Sequence, residues 1–530
     1  MVVSSPLLVG RERARATLRS RLDDGILLVS GTGGAGIGVT ALARRVAMDA
    51  HRQYPDGVIE VNLRGGRPGY LTSLTPDAAQ RHVLRSLNPK IALPEDGIEL
   101  RKVYQATVAE SKALLILDDA ASAAQLRHLL PRNGCAAIVT SQVDLAASLP
   151  KLHAMTLPGL SADEAYHLII QVTPEATRFP RAGVHKLATY LRGVPLALRI
   201  VAPLLGQRPL LSPRRAIAHL DEASRRIIAL RGTESANTPV DAAIEVAYEL
   251  LDYSLKQSFE ALAIFPAAFD VRAAASVWDV QAATAQHRLD RFGQLGLIDH
   301  RLEAGTYEIH QLVRLYAQEL LVGQPEWTGE VVSRYVAHYL REAIQATARL
   351  DVPAPDTGPL ATADLVALWE HVTVAWTRAV GDDAGWPQPQ AMDRWICDFP
   401  HHSMTLLAQM LSRTELLGWL TRSLDAAESV GDARTVSARL GELGRVCTEL
   451  GAYDQALDYY RRQLDIARES EALDIEGEAL MYTGFVYGAL GNLEQAAASW
   501  QRSLRVFNLS GDPRAARVYT WLQELQNRSG

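Results

Sequence analysis

The 530-residue chain carries 54 Lys and Arg against 60 Asp and Glu, a net charge of −6, with 48% apolar and 22% charged residues. That length holds about three or four domains, and the acidic balance argues against a broad nucleic-acid-binding surface while leaving room for a small local basic patch. Cys135, Cys397 and Cys447 lie far apart without metal-ligand spacing and read as buried thiols of a cytoplasmic protein. No apolar run approaches the length of about 18 residues that a membrane span requires. The start, MVVSSPLLVGRER, lacks the basic region and long apolar segment of a secretory leader.

The first element is a short apolar strand, ILLVS (26–30), followed by the glycine-rich GTGGAGIGVT (31–40) and the helical ALARRVAMDA (41–50). VIEVNL (58–63), ALLILDD (113–119) and AAIVTS (136–141) are further apolar runs rich in β-branched residues, each followed by loop residues and a helical pattern. Such alternation predicts a parallel sheet covered by helices on both faces. From SADEAYHLII (161–170) to about 325 the pattern is helical, and Ser161 with Glu164 forms a predicted capping box. One stretch interrupts it: in GLIDHRLEAGTYEIHQLVRLYAQELL (296–321), LIDHRL and TYEIHQ flank an Ala-Gly turn and lead into a helix. Helices followed by a hairpin predict a winged-helix unit. DVPAPDTGP (351–359) and GDDAGWPQPQ (381–390) read as breaks.

The last hundred residues repeat. LGELGRVCTELGAYDQALDYYRRQLDIA (440–467) aligns with LMYTGFVYGALGNLEQAAASWQRSLRVF (480–507) at an offset of 40. The offset matches Gly444 to Gly484, Gly451 to Gly491, Ala456 to Ala496, Tyr460 to Trp500 and Leu464 to Leu504. Small residues where two helices cross, with bulky ones between, give helix-turn-helix units that stack on their neighbours. LGWLTRSLDAAES (417–429) reads as the second helix of a preceding unit. Tyr460 and Trp500 are expected between helices. Tyr453, Arg461, Tyr482 and Tyr487 are the candidates for contact with a partner.

The glycine-rich turn has the spacing of a phosphate-binding loop in two registers. GTGGAGIG (31–38) puts Ile37 and Gly38 where Lys and Ser or Thr belong; GGAGIGVT (33–40) puts Val39 and Thr40 there. The second is preferred, because Thr40 keeps a hydroxyl for Mg²⁺ and leads straight into the helix. Backbone N–H groups and a helix N-terminus hold phosphates without side-chain charge; the lysine adds a point charge on the outer phosphates. It is missing in both registers, and no lysine precedes Lys90. A charge-assisted contact is worth about 1.5–3 kcal/mol, so its loss weakens binding without abolishing it. ALLILDD ends a predicted buried strand in Asp118 and Asp119, and acids at the carboxyl end of a parallel strand face the crevice where phosphate and metal bind. Asp118 would hold Mg²⁺ through water and Asp119 would orient an attacking water; the plain alternative is two solvated loop acids.

LLVGRER (7–13), VSG…GIGVTALA (29–43), VNLRG (61–65), LLILDDA (114–120), IVTSQ (138–142), GVPLALRI (193–200) and YEIHQLVRLYA (307–317) together resemble, in that order, the NB-ARC module of STAND signalling ATPases. The resemblance is greatest to those of bacterial antibiotic-regulatory and other repeat-bearing regulators, and it covers about residues 7–325. It implies a multidomain α/β plus α chain: a P-loop NTPase parallel-sheet domain at 1–158, a helical domain at 159–232 and a winged helix at 233–325. A helical linker at 326–405 and tetratricopeptide-like repeats at 406–530 follow. It implies ADP or ATP with Mg²⁺, the metal at Thr40 and Asp118. Val9, Gly10 and Arg11 would line the adenine pocket. Gly33, Gly36, Gly38, Val39 and Thr40 would form the phosphate loop. Pro195 would pack under the adenine, and His310 would reach the ADP β-phosphate and keep the protein closed.

Two departures bear on activity. Val39 stands for the family's lysine, and Thr140, Ser141 and Gln142 stand where the family has Thr-Ser-Arg with an arginine that senses the γ-phosphate. Arg64 is the best remaining candidate for a compensating cation. Hydrolysis is therefore expected to be weak or lost. Three functions compete: a nucleotide-controlled switch opened by a protein or peptide ligand on the repeats, a scaffold on a vestigial NB-ARC platform, and a transcription regulator acting through the winged helix. Asp118, Asp119, Pro195 and His310 favour the first; Val39 and Gln142 favour the second; the acidic balance weighs against DNA. No effector domain is expected before the LVGR motif, so output is expected through a separate effector protein or self-assembly on activation.

Overall fold

The computed structural model describes residues 8–529 other than 23–24, 32–35, 66–72, 89–90, 92, 144, 150–151, 208–211, 232–237, 302–303, 352–361, 384–385 and 387–391. Much of the two predicted breaks, 351–359 and 381–390, and Gly33 lie outside the described residues. Two compact units emerge, one made of residues 1–339 and 361–388 and the other of 340–360 and 389–530.

The first unit opens with α1 (Glu12–Ser20), β1 (Ile26–Gly31), α2 (Val39–Ala50), β2 (Val58–Asn62), α3 (Pro76–Leu87) and α4 (Gly97–Glu110). It continues through β3 (Leu114–Asp118), α5 (Ala123–Leu126), β4 (Ala136–Ser141) and β5 (His153–Leu157). All five strands pair in parallel, in the order β2-β3-β4-β1-β5. β3 and β4 are buried along their whole length, as near-continuous runs of Leu, Ile, Val and Ala require. β5 escaped the sequence reading. HAMTL mixes polar and apolar residues, and at the sheet edge its first residues are exposed, so nothing forces a solid apolar run. Helix starts follow their caps: Thr75 accepts from the Ala78 amide, and Asp96 from those of Ile98 and Glu99.

Helices α6 (Ala162–Val172), α7 (Arg181–Tyr190), α8 (Pro195–Gln207), α9 (Pro213–Arg231) and α10 (Thr238–Tyr248) come next. The Ser161/Glu164 capping box is present at the start of α6. α11 (Tyr253–Ala261), α12 (Val271–Trp278) and α13 (Ala282–Gln294) then lead to a two-stranded antiparallel hairpin, β6 (Ile298–Arg301) and β7 (Thr306–Ile309), and to α14 (Gln311–Val322). α15 (Pro325–Asp351) supplies its residues up to Tyr339, and α16 (Thr362–Ala379) completes the unit by packing on α3.

The second unit is helical: α17 (Asp393–His402), α18 (Met404–Met410), α19 (Arg413–Val430), α20 (Ala433–Glu449), α21 (Tyr453–Glu469), α22 (Leu473–Ala489), α23 (Leu493–Ser510) and α24 (Arg514–Ser529). From α19 onward every helix meets the next in sequence. Left-handed residues stand at Gly431, Gly451, Glu471, Gly491 and Gly511, one every twenty residues, and each ends a helix. Only Glu471 is not glycine, and a side chain in that conformation costs about 1–2 kcal/mol.

The 40-residue offset is a packing rule. A Cβ on Gly444 would stand 2.6 Å from the Tyr460 ring, and one on Gly484 2.4 Å from Trp500. Both aromatics are buried, as expected. The partner-contact candidates divide differently. Tyr482 stacks on Tyr460 at 5.7 Å, and Tyr453 and Tyr487 pack half-buried against the same two cores. Of the four, Arg461 alone is well exposed, paired with Asp458 one turn away. Tyr460 fills what Gly444 leaves open, and Tyr482 is drawn into the core by stacking on that ring.

Candidate functional site

The phosphate-loop stretch leaves β1 and enters α2 through Gly36 (φ +90) and Gly38 (φ +94), a conformation only glycine adopts without cost. The Leu196 amide donates to the Gly36 carbonyl at 3.3 Å, and a Cβ at Gly36 would press on Leu196 and Val194. The loop is thus held by the segment containing Pro195. Gly38 is the N-cap of α2, so Val39, Thr40 and Ala41 form its first turn. On the other side, Arg11 donates to the Ile37 carbonyl at 3.2 Å. Gly10 (φ +70) has the Glu164 side chain where its Cβ would be.

β3 delivers Asp118 beside α2. The Thr40 hydroxyl donates to Asp118 Oδ1 at 2.7 Å and the Thr140 hydroxyl to the same oxygen at 2.6 Å, while the Asp119 amide donates to Thr140 Oγ1. Burial, with Glu60 beside it, pushes the Asp118 carboxyl up to about 6 against the pull of Arg44 and of the two hydroxyls. The folded state therefore holds this proton more tightly than the unfolded chain. The penalty for ionising Asp118 is present in full above about pH 6 and gone below about pH 4. Asp118→Asn is expected to stabilise the protein by about 2 kcal/mol at pH 8, with the gain vanishing by pH 4. Urea melts at the two pH values check this; a loss of stability at pH 8 would show that the charge is repaid by its neighbours.

Asp119 (φ +54) sits outside this pair. Gln142 Nε2 donates to its Oδ1 at 3.3 Å, and Gln311 Nε2, from the first turn of α14, to its Oδ2 at 3.4 Å. Gln142 and Gln311, also 3.5 Å from one another, thus form a clasp of two uncharged amides on the Asp119 carboxylate.

Arg64 does not supply the compensating cation. The Leu63 and Gly65 amides donate to the carbonyls of Asp118 and Asp119, drawing the chain tightly across the end of β3, and Arg64 takes a left-handed φ of +53. That turn sends its guanidinium to Glu370 on α16, 3.7 Å away, and it does not line the cavity.

The hairpin and α14 close the other side. His310 caps α14, its Nδ1 accepting from the Leu312 amide at 3.2 Å. Burial pushes its imidazole down to about 4, with Arg199 and Arg314 acting the same way against Asp299 and Glu308. At neutral pH the ring is therefore neutral and its remaining proton is on Nε2. Around all these groups lies a cavity of about 390 Å³. It gathers Val9, Arg11, Gly36, Gly38, Val39 and Thr40 with Asp118, Asp119, Pro195 and His310, while Gly10 is not part of the lining.

The sequence reading missed the cavity's other cations. Arg44 lies one turn after Thr40, and Arg199 one turn after Pro195; each shares the helix face of a residue already singled out, which is the signal that could have found them. Arg44 bonds Glu60 at 2.7 Å and Glu308 at 3.0 Å; Arg199 pairs with Asp299. Arg314 donates to the carbonyls of Phe265 and Pro266. Among the described residues no group of three or more His, Cys, Asp or Glu is placed to hold a metal by itself.

No protein-family model matches the chain. Over 321 residues, 59% of this chain, it is 30% identical to the regulatory protein AfsR of Streptomyces griseus, of which it covers 32%. Over 542 aligned positions, 91% of this chain, it is 26% identical to the regulatory protein AfsR of Streptomyces coelicolor, of which it covers 54%. The chain thus spans about half the length, or less, of these curated relatives. Among solved structures it is similar to a STAND protein with a tetratricopeptide-repeat sensor from Pyrococcus horikoshii. Identity there is 16%, coverage 100% of this chain and 82% of that one, and the TM-score 0.48. The Aeropyrum pernix ORC2 protein matches 59% of this chain, with 95% of its own covered, at 15% identity and a TM-score of 0.27. Similarity to a regulatory protein over nine-tenths of the chain bears out the expected resemblance to bacterial regulatory proteins, and the chain runs from a parallel five-stranded sheet domain to C-terminal helical repeats.

Proposed function

We propose that the cavity binds ADP or ATP, that the bound nucleotide sets the state of a signalling switch, and that the helical repeats sense a protein or peptide ligand. The observation that carries this is the convergence of the glycine turn, the Thr40–Asp118 pair, Pro195 and His310 on one cavity, from four separate stretches of chain. The residues fit such a ligand. Gly36, Gly38, Val39 and Thr40 line the cavity at the N-terminus of α2, where the first-turn N–H groups of a helix favour anions, and neutral His310 offers an N–H donor. Thr40 and Asp118, already within bonding distance of one another, would hold Mg²⁺, which neutralises phosphate charge when bound.

Turnover should be near background. Phosphoryl transfer depends on positive charge placed at the outer phosphates, and Val39 and the Gln142–Gln311 clasp offer none. A scaffold on an inert platform is the second reading, and the same clasp favours it. In the switch reading the chain divides near residues 158, 232, 325 and 405, the hairpin and its helices acting as a winged helix and the repeats as a tetratricopeptide-like sensor. Opening would lead to self-assembly or to engagement of a separate effector protein, without DNA. Among the described residues no helix is long and apolar enough to cross a membrane.

The test is to denature the purified protein and count released nucleotide. About one ADP or ATP per chain is expected, and Val39→Lys should raise affinity about tenfold. A nucleotide-free protein that takes up neither ADP nor ATP would leave the scaffold reading standing.

A further inference from the structure

Two of the cavity's arginines are held by acids from one small element. Arg199 on α8 pairs with Asp299 on β6, and Arg44 on α2 pairs with Glu308 on β7. Asp299 and Glu308 face one another directly in the hairpin register. Like charges at directly opposed positions destabilise a two-stranded ribbon, so the pairing stands because each acid has a cation waiting on a different helix. All four side chains line the cavity.

We propose that Arg44 and Arg199 are the polyphosphate-binding pair of this cavity, and that Asp299 and Glu308 form an internal anion which occupies them until phosphates displace it. The proposal rests on the nucleotide reading above and deepens it. It identifies a source of positive charge for holding phosphates, set apart from positions 39 and 142 on which turnover depends, and it couples occupancy to the hairpin, because phosphates and the twin carboxylate compete for the same two guanidiniums.

The two halves of the contact differ as the idea requires. Asp299 is half-exposed, and an ion pair so open to water exchanges readily. Arg44 is also gripped by Glu60, from β2, so it keeps its place in the cavity when Glu308 withdraws. Arg301, beside Glu308 on the hairpin itself, remains to satisfy that acid. Burial alone would raise the Glu308 carboxyl, but Arg44 and Arg301 hold it down at about 2, so it is fully ionised at neutral pH.

The experiment uses the full chain stripped of nucleotide, in the parent form and as Asp299→Asn/Glu308→Gln, titrated calorimetrically with ADP, adenosine and inorganic pyrophosphate. The double variant is expected to bind ADP and pyrophosphate about tenfold more tightly, with adenosine affinity unchanged. Adding Arg199→Gln should remove most of that gain. If ADP and adenosine bind but the double variant has parental ADP affinity, the internal anion is overturned while the nucleotide reading stands. If pyrophosphate binds and responds to the variants while ADP does not bind, the nucleotide reading fails and the anion pair survives. Failure of every form to bind ADP or pyrophosphate overturns both. Should the double variant not fold, Arg199→Gln in the parent still decides, since parental pyrophosphate affinity there contradicts the proposal.

Discussion

Replacing Arg44 by alanine is expected to lower the stability of the first unit by about 3–5 kcal/mol. Arg44 is the cation shared by Glu60 and Glu308, with Asp118 beside them, and its side chain is only 19% exposed. Removal leaves three acids together in a poorly hydrated space, and such uncompensated charge costs more than the pair contributed. The pH dependence carries a sign. The Glu308 carboxyl is depressed to about 2, so its contribution is fully present above the unfolded value near 4.3 and is lost as pH falls through 2. The gap between parent and variant should therefore be widest near neutrality and narrow from about pH 4.5 downward. Urea denaturation at several pH values measures it. A deficit below about 1 kcal/mol at pH 7 would mean that water reaches these acids freely.

Trp500→Ala should cost the second unit about 3–5 kcal/mol. The indole is buried against Gly484, its N–H donates to the Met481 carbonyl at 3.0 Å, and its ring meets Phe485 and Trp521. Gly484 cannot refill the space, and the Met481 carbonyl, already bonded within α22, also loses the indole as its second donor. Hydrogen exchange in α22, α23 and α24 should accelerate, while the five-stranded sheet keeps its protection. Unchanged exchange in those helices would show that the end of the repeat unit collapses onto the gap.

Legibility in the sequence followed physical constraint. ILLVS, ALLILD and AAIVTS were readable because strands buried on both faces must be continuously apolar. Asp118, Thr40, Pro195 and His310 were readable through motif order, and the structure brings them to one cavity. β5 was not, because an edge strand needs little apolar content. Arg64 misled because its side-chain direction depends on a left-handed backbone set by bonds to the end of β3. Arg44 and Arg199 stayed hidden because only the fold shows which acids stand across from them, and those acids come from a hairpin more than 90 residues further along.

The left-handed turns at 431, 451, 471, 491 and 511 constrain how such a chain can change length. The turns alone recur every twenty residues, so they would tolerate loss or gain of a single helix. The packing would not: Gly444 and Gly484 lie on α20 and α22, and Tyr460 and Trp500 on α21 and α23. A change of twenty residues sets a glycine-bearing helix where its neighbour awaits an aromatic one. Forty residues restore every match at once. Duplication or loss in steps of forty is therefore the route by which this end of the chain could lengthen or shorten without rebuilding a core.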